Sequence, residues 1–277
     1  MTAQDTIAFV GGGHMARSLL TGMVANGVDP QSIRVADPVP GLRDALRADF
    51  GVQVFADNGD AVDDAGIWIL GVKPQLMRGI CESLAAHAQR ARPLVVSVAA
   101  GVTTLQLDRW LGGDLPIVRA MPNAGAVLGA GVTGLYANHQ VDAAGCRRAE
   151  RLLWASGETV WVTDEARMDA VTAVSGSGPA YLFLLAEAMV EAALAEGLPP
   201  DVAHSLVVQT MLGSARLLSE QNATPAELRQ RVTSPQGTTE AAMHVLAEGG
   251  FTGLVGRAIH ASRIHGRQLS MDLESST

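Results

Sequence analysis

Up to about residue 162, the chain alternates short apolar runs with segments whose apolar residues recur at helical spacing. The runs are rich in Val and Ile, which favours buried strands, and strands that alternate with helices predict a mostly parallel, doubly wound sheet. The predicted strands are residues 6–10, 33–37, 52–55, 67–72, 94–99, 116–121, 131–136 and 158–162, the last two flanking a helix. Further helices are predicted at 14–26, 42–50, 76–88 and 104–111.

The pattern changes after about Asp164, where strand-like runs stop and alanine-rich helical periodicity takes over. Helices are predicted at 165–174, 179–196, 201–219, from 224 onward, 238–248 and 251–270. Glu227 follows Thr224 by three residues, which indicates a capping box at the start of one of these helices.

The first apolar run ends in three glycines and turns directly into a helical segment. Gly11, Gly13 and Ala16 fit the spacing G-x-G-x-x-A of the dinucleotide fingerprint. Gly11 permits the tight turn, Gly13 lets backbone approach a pyrophosphate, and Ala16 is small enough for helix and strand to pack closely. The helix then starts at His14 and Met15, where unpaired N–H groups and the positive dipole end favour phosphate.

Together, the strand pattern and this turn predict an α/β fold in two domains. A dinucleotide-binding Rossmann domain with a mostly parallel, doubly wound sheet is expected at residues 1–163, followed by an all-α dimerisation and substrate domain at 164–277. Residues 181–194 are apolar over most of a helix circumference, and such a helix is buried. We therefore expect an obligate homo-oligomer, the alternative being a monomer whose helices pack on the sheet domain.

The composition narrows the class of partner. The net charge of −8 argues against nucleic acid or an anionic membrane surface as partner. Cys81 and Cys146 lack metal or redox spacing, which favours reduced thiols in a cytoplasmic protein. No uninterrupted apolar run approaches 18 residues and no basic leader precedes the first run, so neither a transmembrane helix nor a signal peptide is predicted. No cluster of metal ligands stands out, and no metal is expected.

Asp37 ends the second predicted strand, where an acid ordinarily binds the adenosine ribose hydroxyls and disfavours a 2′-phosphate. The alternative is a turn aspartate before Pro38. Arg34 and Arg43 are near in sequence and could bind a 2′-phosphate. The choice between NADH and NADPH is therefore open on the residues alone.

Small and polar residues follow three further strands, where ligands of open α/β sheets bind. Ala99, Ala100 and Gly101 would let a flat ring approach the backbone, and Lys73 and Asn123 are hydrogen-bond donors. Each of these could equally be a solvated loop residue. The residues predicted to line the cofactor at these strand ends are Val72, Lys73, Pro74, Ala99, Ala100 and Asn123.

Two segments of the predicted helical domain carry candidate chemistry. Residues 173–181 predict an exposed helix start before Pro179, either a wall of the site with free N–H groups or a plain loop and cap. Residues 232–240 place the hydroxyls of Ser234, Thr238 and Thr239 and the backbone N–H of Gly237 at a helix start. This favours a carboxylate cradle, the alternative being capping by Thr238 or Thr239 alone.

Taken together, these segments resemble pyrroline-5-carboxylate reductase over residues 6–270. The motifs that carry the resemblance are GGGHMA at 11–16, VKPQ at 72–75, SVAAG at 97–101, RAMPN at 119–123, SGSGPAY at 175–181 and TSPQGTT at 233–239. The resemblance implies NAD(P)H-dependent reduction of Δ1-pyrroline-5-carboxylate to L-proline, with NADPH favoured and NADH possible. It also implies a homodimer formed by the helical domain, with dimers often assembled into a decamer.

The resemblance assigns roles to individual residues. It implies that Ser234 and neighbouring N–H groups hold the substrate carboxylate, that Thr239 faces the ring nitrogen, and that Glu165 lines the same site. It also implies that Asn58 contacts the cofactor. Gln236 departs from the family, which usually has glycine there, and Pro38 stands where several relatives carry an arginine for the 2′-phosphate.

Two other functions remain open. A related reductase acting on a hydroxy acid or another imine usually has a lysine or aspartate on the first interdomain helix, but residues 171–190 contain neither and Glu187 is their only acid. A non-catalytic nucleotide sensor would not need the segment from Ser234 to Thr239.

Overall fold

The computed structural model describes residues 6–275. Eight strands in this range form one sheet in the order β3-β2-β1-β4-β5-β6-β7-β8. The strands are β1 (Ile7–Val10), β2 (Ile33–Ala36), β3 (Gln53–Phe55), β4 (Ile67–Leu70), β5 (Leu94–Ser97), β6 (Ile117–Met121), β7 (Gly131–Ala137) and β8 (Gly157–Trp161). Each predicted strand is present, with ends that differ by one or two residues.

The sheet is mostly parallel, which confirms the predicted fold class. Neighbouring strands from β3 across to β6 run parallel, β7 is antiparallel to β6, and β8 is parallel to β7. The order of the first six strands is that of dinucleotide-binding Rossmann sheets. Because parallel strands share a direction, the carboxyl ends of β1, β2, β4, β5 and β6 lie along one edge of the sheet.

Helices cover the sheet and form the second half of the chain. They are α1 (His14–Ala25), α2 (Pro40–Phe50), α3 (Asn58–Val62), α4 (Pro74–Ala91), α5 (Thr104–Trp110), α6 (Ala143–Trp154), α7 (Met168–Val171), α8 (Gly178–Ala195), α9 (Pro200–Glu220), α10 (Pro225–Arg231), α11 (Thr238–Glu248) and α12 (Phe251–Ser275). The short helix α3 follows β3 directly and is absent from the sequence prediction.

Two buried clusters lie on the two faces of the sheet, as the strand alternation requires. Ile7 and Phe9 of β1 belong to the cluster that includes residues of α1, α2 and α6. Ala8 and Val10 belong to the cluster that includes residues of α3, α4 and α5. Cys81 lies in this second cluster, and burial raises the pKa of its thiol to about 12, so it stays protonated at neutral pH.

The described chain forms two compact units. One contains residues up to Ser177 together with those from Ala261 onward, and the other contains Gly178–His260. The first unit therefore includes the whole sheet and the second half of α12. In the second unit, α8 packs against α9 and α9 contacts α10.

The predicted capping box of the second unit is confirmed. The Thr224 side chain accepts a hydrogen bond from the Glu227 N–H at 3.2 Å, and the Thr224 N–H donates to the Glu227 carboxylate at 2.6 Å. Hydrogen bonds to the charged form hold the pKa of Glu227 below its ordinary value.

The predicted helix start at Pro179 is confirmed, because α8 begins at Gly178 and Pro179 is its second residue. The residues before it do not form a plain loop. Thr172–Gly176 form a π-helical turn after α7, and the Ser177 N–H donates to the Thr172 carbonyl five residues back at 2.8 Å. A Cβ at Gly176 would lie 2.5 Å from Cε of Met121, so any larger residue there would displace the end of that side chain.

The continuous helix Glu165–Ala195 is long and apolar enough to cross a membrane by length and composition alone. It meets this test on its mean hydropathy, although polar residues interrupt its apolar run, which is why the sequence analysis did not predict it. None of residues 178–195 is buried in the described chain. These apolar side chains therefore need a cover that a single copy does not provide.

Candidate active site

The glycine turn between β1 and α1 is packed against its neighbours on two sides. Gly11 has φ +99°, and a Cβ there would lie 2.9 Å from Cγ1 of Val72, just beyond β4. A Cβ at Gly12 would lie 2.7 Å from Cδ1 of Leu46 on α2. The turn is thus packed between the end of β4 and helix α2. At Gly11, the positive φ and the Gly71 backbone atoms 3.1–3.2 Å from a Cβ favour glycine.

The start of α1 is open. Gly13 is its N-cap, and no side chain among residues 6–275 caps the helix. A Cβ at Gly13 would meet no described atom within 4 Å, so the space beside Gly13 is open to a ligand. The first-turn N–H groups of His14, Met15 and Ala16 have no helical partners, which suits a pyrophosphate. The residues present therefore fit a dinucleotide.

Asp37 is buried to 8% exposure beside the turn, and both of its oxygens accept hydrogen bonds from backbone. The Gly12 N–H donates to one at 3.0 Å and the Val39 N–H to the other at 2.9 Å. The bond from Val39, two residues on, is that of the turn aspartate given as the alternative in the sequence analysis. The bond from Gly12, which joins the glycine turn to the end of β2, was not predicted. Each oxygen keeps a second lone pair for a ribose hydroxyl.

The two arginines near β2 lie in different places. The Arg34 guanidinium donates to the Asp63 carbonyl from the second position of β2. Arg43, in the first turns of α2, donates from Nη1 to the Asp37 carbonyl at 2.7 Å. Arg43 is therefore at the carboxyl end of β2, where the adenosine ribose binds in this fold, whereas Arg34 is not.

The remaining predicted adenosine-side residues follow β3 and β4. Asn58 is the first residue of α3, and no partner of its side-chain amide lies within the described residues. Asp37, through its N–H, donates to the Phe55 carbonyl at 3.1 Å, so the ends of β2 and β3 are adjacent. Lys73 is the exposed N-cap of α4 and Pro74 its first residue.

The loop after β5 is fixed by the end of α12. Ala99 is buried to 6% exposure and Ala100 is half-buried. Gly101 has φ +76°, and a Cβ there would lie 3.4 Å from Cβ of Leu269. Gln106 on α5 donates from Nε2 to the Ser270 carbonyl at 3.0 Å. The backbone predicted to contact a nicotinamide ring is therefore held in place by the C-terminal part of α12.

Asn123 uses its side-chain oxygen within the protein. The Gly125 and Val132 N–H groups donate to that oxygen at 3.2 and 3.3 Å. Its amide nitrogen lies 3.5 Å from the Ser175 hydroxyl of the π-turn. Asn123 therefore orders the segment after β6, and only its NH₂ group is available to a cofactor.

Glu165 is engaged in a partly buried network at the side of the sheet. The Thr104 N–H and hydroxyl each donate to its carboxylate at 2.7 Å, and the Arg119 guanidinium lies 3.5 Å away. Arg119, 4% exposed, also pairs with Asp169 at 3.2 Å. Burial, with the Glu165 and Asp164 carboxylates, raises the pKa of the neighbouring Tyr136. Both oxygens of Glu165 thus have hydrogen-bond partners within the protein. Its predicted role in lining the substrate site stays a prediction.

The segment before α11 forms a turn that leads into an uncapped helix. The Gly237 N–H donates to the Ser234 carbonyl at 3.0 Å, which closes a four-residue turn with Pro235 second. Gly237 is the N-cap, and no side chain in the described part of the chain caps α11. A Cβ at Gly237 would lie 2.6 Å from the Ser234 hydroxyl oxygen. The alternative of capping by Thr238 or Thr239 is therefore wrong, because both lie inside the helix.

This arrangement suits a carboxylate. The hydroxyls of Ser234, Thr238 and Thr239 have no hydrogen-bond partner within residues 6–275, and the first-turn N–H groups lack helical acceptors. Hydroxyl and N–H donors at a helix start bind an anion through hydrogen bonds and the helix dipole. One contact escaped the sequence analysis: the Gln236 N–H donates to Glu240. An acid in the first turn of a helix is the signal that points to it.

Two family models match the chain. One, described as "NADP oxidoreductase coenzyme F420-dependent", matches residues 6–101, and the other, described as "Pyrroline-5-carboxylate reductase dimerisation", matches residues 165–269. The fold, the glycine turn and these matches define a Rossmann-type oxidoreductase that uses a nicotinamide dinucleotide. A pyrroline-5-carboxylate reductase from Pseudomonas aeruginosa is 47% identical over 267 residues, covering 96% of this chain and 97% of that protein. The chain belongs to the pyrroline-5-carboxylate reductase family.

Solved structures agree. A pyrroline-5-carboxylate reductase from Coxiella burnetii, 41% identical, superposes with a TM-score of 0.92 over 96% of this chain and 99% of that one. A Plasmodium falciparum pyrroline carboxylate reductase solved with NADP bound shares the fold with a TM-score of 0.87 at 22% identity, over 98% of this chain and 99% of that one.

The network around Arg119 predicts a large effect of Arg119→Met on stability. The substitution leaves the Glu165 and Asp169 carboxylates without their cation. Breaking a fully buried pair costs about 3–5 kcal/mol. Because these two acids are 20% and 16% exposed, we expect a loss of roughly 2–3 kcal/mol. Urea unfolding at one fixed protein concentration measures the loss. Arg151→Met, at an exposed position of α6, is the matched control. A loss below about 1 kcal/mol for Arg119→Met, the range of exposed pairs, would contradict the prediction.

Proposed function

We propose that the chain reduces the C=N bond of Δ1-pyrroline-5-carboxylate to give L-proline, the last step of proline biosynthesis, with NADPH as hydride donor. The observation that carries the proposal is membership of this reductase family over 96% of the chain, shared with a relative that is 47% identical. The open start of α1 and the uncapped start of α11 support it, because dinucleotide and imine carboxylate are both anions.

The cofactor is assigned to the Rossmann sheet. The proposed contacts are the α1 start for the pyrophosphate, the ends of β2 to β4 for the adenosine half, and the loop after β5 with the segment after β6 for the nicotinamide half. The residues assigned are Gly11, Gly13, His14, Met15, Ala16, Asp37, Asn58, Val72, Lys73, Pro74, Ala99, Ala100 and Asn123. When bound, NADPH supplies the hydride that adds to the imine carbon.

The substrate is assigned to the segment before α11. We assign the carboxylate to the Ser234 hydroxyl and the N–H groups of Thr238 and Thr239, whose partners are lacking within residues 6–275. Gly237, whose N–H donates to the Ser234 carbonyl, borders the site without donating to the carboxylate. The hydroxyl of Thr239 hydrogen-bonds the ring nitrogen and passes it a proton from water, which balances the hydride gained by carbon. Orientation and electrostatics supply the catalysis, so no strong base is required.

The choice of NADPH over NADH is supported by Arg43. Its guanidinium is fixed on the Asp37 carbonyl at the end of β2, and a guanidinium binds phosphate oxygens well. The match to a model described as an NADP oxidoreductase points the same way. The Asp37 carboxylate would repel a 2′-phosphate, but two backbone N–H groups donate to its oxygens and reduce that repulsion.

A homodimer is the proposed minimal assembly, with five dimers forming a decamer. The family model that covers residues 165–269 describes a dimerisation region. Within that region, Leu182, Phe183 and Leu184 of α8 are more than half exposed in a single copy. We propose that a second copy covers them instead of lipid or nucleic acid, and that the protein is cytoplasmic, with residues 1–163 as cofactor domain and 164–277 as dimerisation and substrate domain.

The activity is tested with purified protein, NADPH and the cyclic imine, followed at the nicotinamide absorbance. We expect NADPH oxidation that depends on the imine, and Thr239→Val should lower kcat/KM about tenfold, since one positioned hydrogen bond is worth on the order of 1.5 kcal/mol. Thr21→Val, whose hydroxyl bonds only within its own helix, is the control. No oxidation by the parent protein would overturn the function, and an unchanged kcat/KM would remove Thr239 from the mechanism.

Cofactor choice is tested by Arg43→Gln. The KM for NADPH should rise roughly tenfold while the KM for NADH changes little, because only NADPH carries the 2′-phosphate. Arg47→Gln, one turn further along α2 and paired with Asp44, is the matched control. Equal effects on both cofactors would show that Arg43 does not read the phosphate.

Assembly is tested by sedimentation without detergent. The parent protein should sediment at a multiple of 28.8 kDa at micromolar concentration, and Leu184→Glu should shift it toward the single chain. Leu105→Glu on α5 places the same charge at a comparably exposed leucine, 73% against 66%, and should leave the assembly intact. A parent protein that sediments as one chain would contradict the proposed dimer.

A further inference from the structure

Gln236 adopts a backbone conformation that glycine adopts more easily. Its φ is +56°, and it is the third residue of the turn that the Gly237 N–H closes on the Ser234 carbonyl. With proline second and a positive φ third, this is a type II turn, which favours glycine at the third position. A side chain there costs conformational energy, so the turn depends on support from elsewhere.

That support comes from Glu240. Its carboxylate accepts a hydrogen bond from the Gln236 N–H at 2.7 Å. Glu240 is the third residue of α11, so the side chain reaches back over the helix start to the turn. Hydrogen bonds to a charged acceptor are short and strong, and the negative charge is favourable at a helix N-terminus.

We infer that Glu240 is a positioning residue for substrate binding: it holds Gln236 in the left-handed conformation and so keeps Ser234 and the N–H groups of Thr238 and Thr239 in place for the carboxylate. The inference rests on the proposed function. It assigns Glu240 no contact with substrate. It predicts that Glu240 and Gln236 act as a pair, because glycine at 236 would remove the need for the support.

An opposite effect of Glu240 is also physically possible and is separable. Its negative charge repels a substrate carboxylate, and removing it would then improve binding. Glu240 is exposed, however, and interactions between exposed charges are weakened by water and salt. The hydrogen bond between the Gln236 N–H and Glu240 acts at direct contact, so water and salt weaken it less than the charge repulsion. We therefore expect the support of the turn to be the larger effect.

The experiment measures KM and kcat for E240A, E240Q, Q236G and the double variant with the cyclic imine. E240A should raise the KM for the imine roughly fivefold, with smaller changes in kcat and in the KM for NADPH, as loss of one charged hydrogen bond allows. E240Q keeps an oxygen acceptor and should show a smaller rise. In the Q236G background, E240A should change the KM less than about twofold, since glycine takes a positive φ without strain.

E248A is the matched control, because Glu248 lies on the same helix, is exposed, and pairs with His244 at 3.2 Å away from the turn. Its KM should equal that of the parent. A lowered KM in E240A would show that charge repulsion dominates, and an equal effect of E240A with and without Q236G would show that the two residues are not coupled. Either result overturns the inference.

Failure of the proposed function is distinguishable from failure of this inference. If the parent protein does not reduce the imine, the function fails, and the coupling is then read from thermal unfolding. E240A should lower Tm in the parent background and lower it less in the Q236G background. Additive changes in Tm would overturn the pairing of Glu240 with Gln236 without reference to activity.

Discussion

The proposed recognition of both cofactor and substrate depends on one interaction, the unpaired backbone N–H groups at two helix starts. Both α1 and α11 begin at a glycine N-cap in extended conformation, Gly13 and Gly237, and no described side chain caps either helix. Within the described residues, α3, α5, α6 and α10 fill this position with a side-chain acceptor, as Thr224 does for α10. Helices α2, α4 and α9 also lack a side-chain cap, but they begin with a proline, which has no N–H to satisfy. Leaving it open costs some helix stability and reserves the donors for an anion. In the proposed reaction, the two anions are the dinucleotide and the carboxylate of the imine.

The open helix starts differ in what holds them still. The α1 start is fixed by the sheet, because Gly11 packs on Val72 and the Asp37 carboxylate ties Gly12 to the end of β2. The α11 start has no sheet beneath it within its own unit. It depends on a local turn, and that turn contains a side chain, at Gln236, where a type II turn favours glycine. At both starts a carboxylate accepts a hydrogen bond from the preceding turn, but Asp37 follows a strand of the sheet whereas Glu240 belongs to the helix itself.

Sequence reasoning succeeded where one local pattern decides the structure. Strand alternation places Ile7 and Ala8 on opposite faces, and the spacing from Thr224 to Glu227 defines a capping box. It failed where the outcome depends on residues distant in sequence. Whether Arg34 or Arg43 lies near Asp37 is set by strand register and helix packing, and so are the partners of Glu165 at Thr104 and Arg119. The π-turn before Pro179 also escaped, since glycine, serine and proline ordinarily indicate a helix start.

The proposed assembly and the proposed substrate site involve the same unit of the chain. Neither α8 nor α11 has a fully buried residue in the described single chain, yet α11 presents the donors proposed for the carboxylate. A helix with few buried contacts has low local stability, and a mobile site loses affinity because ligand binding must order it. Covering these helices with a second copy removes that cost before substrate arrives. In the proposed dimer, the apolar surface that makes the chain associate is therefore also what makes the carboxylate site rigid, so that affinity for the imine rises with assembly.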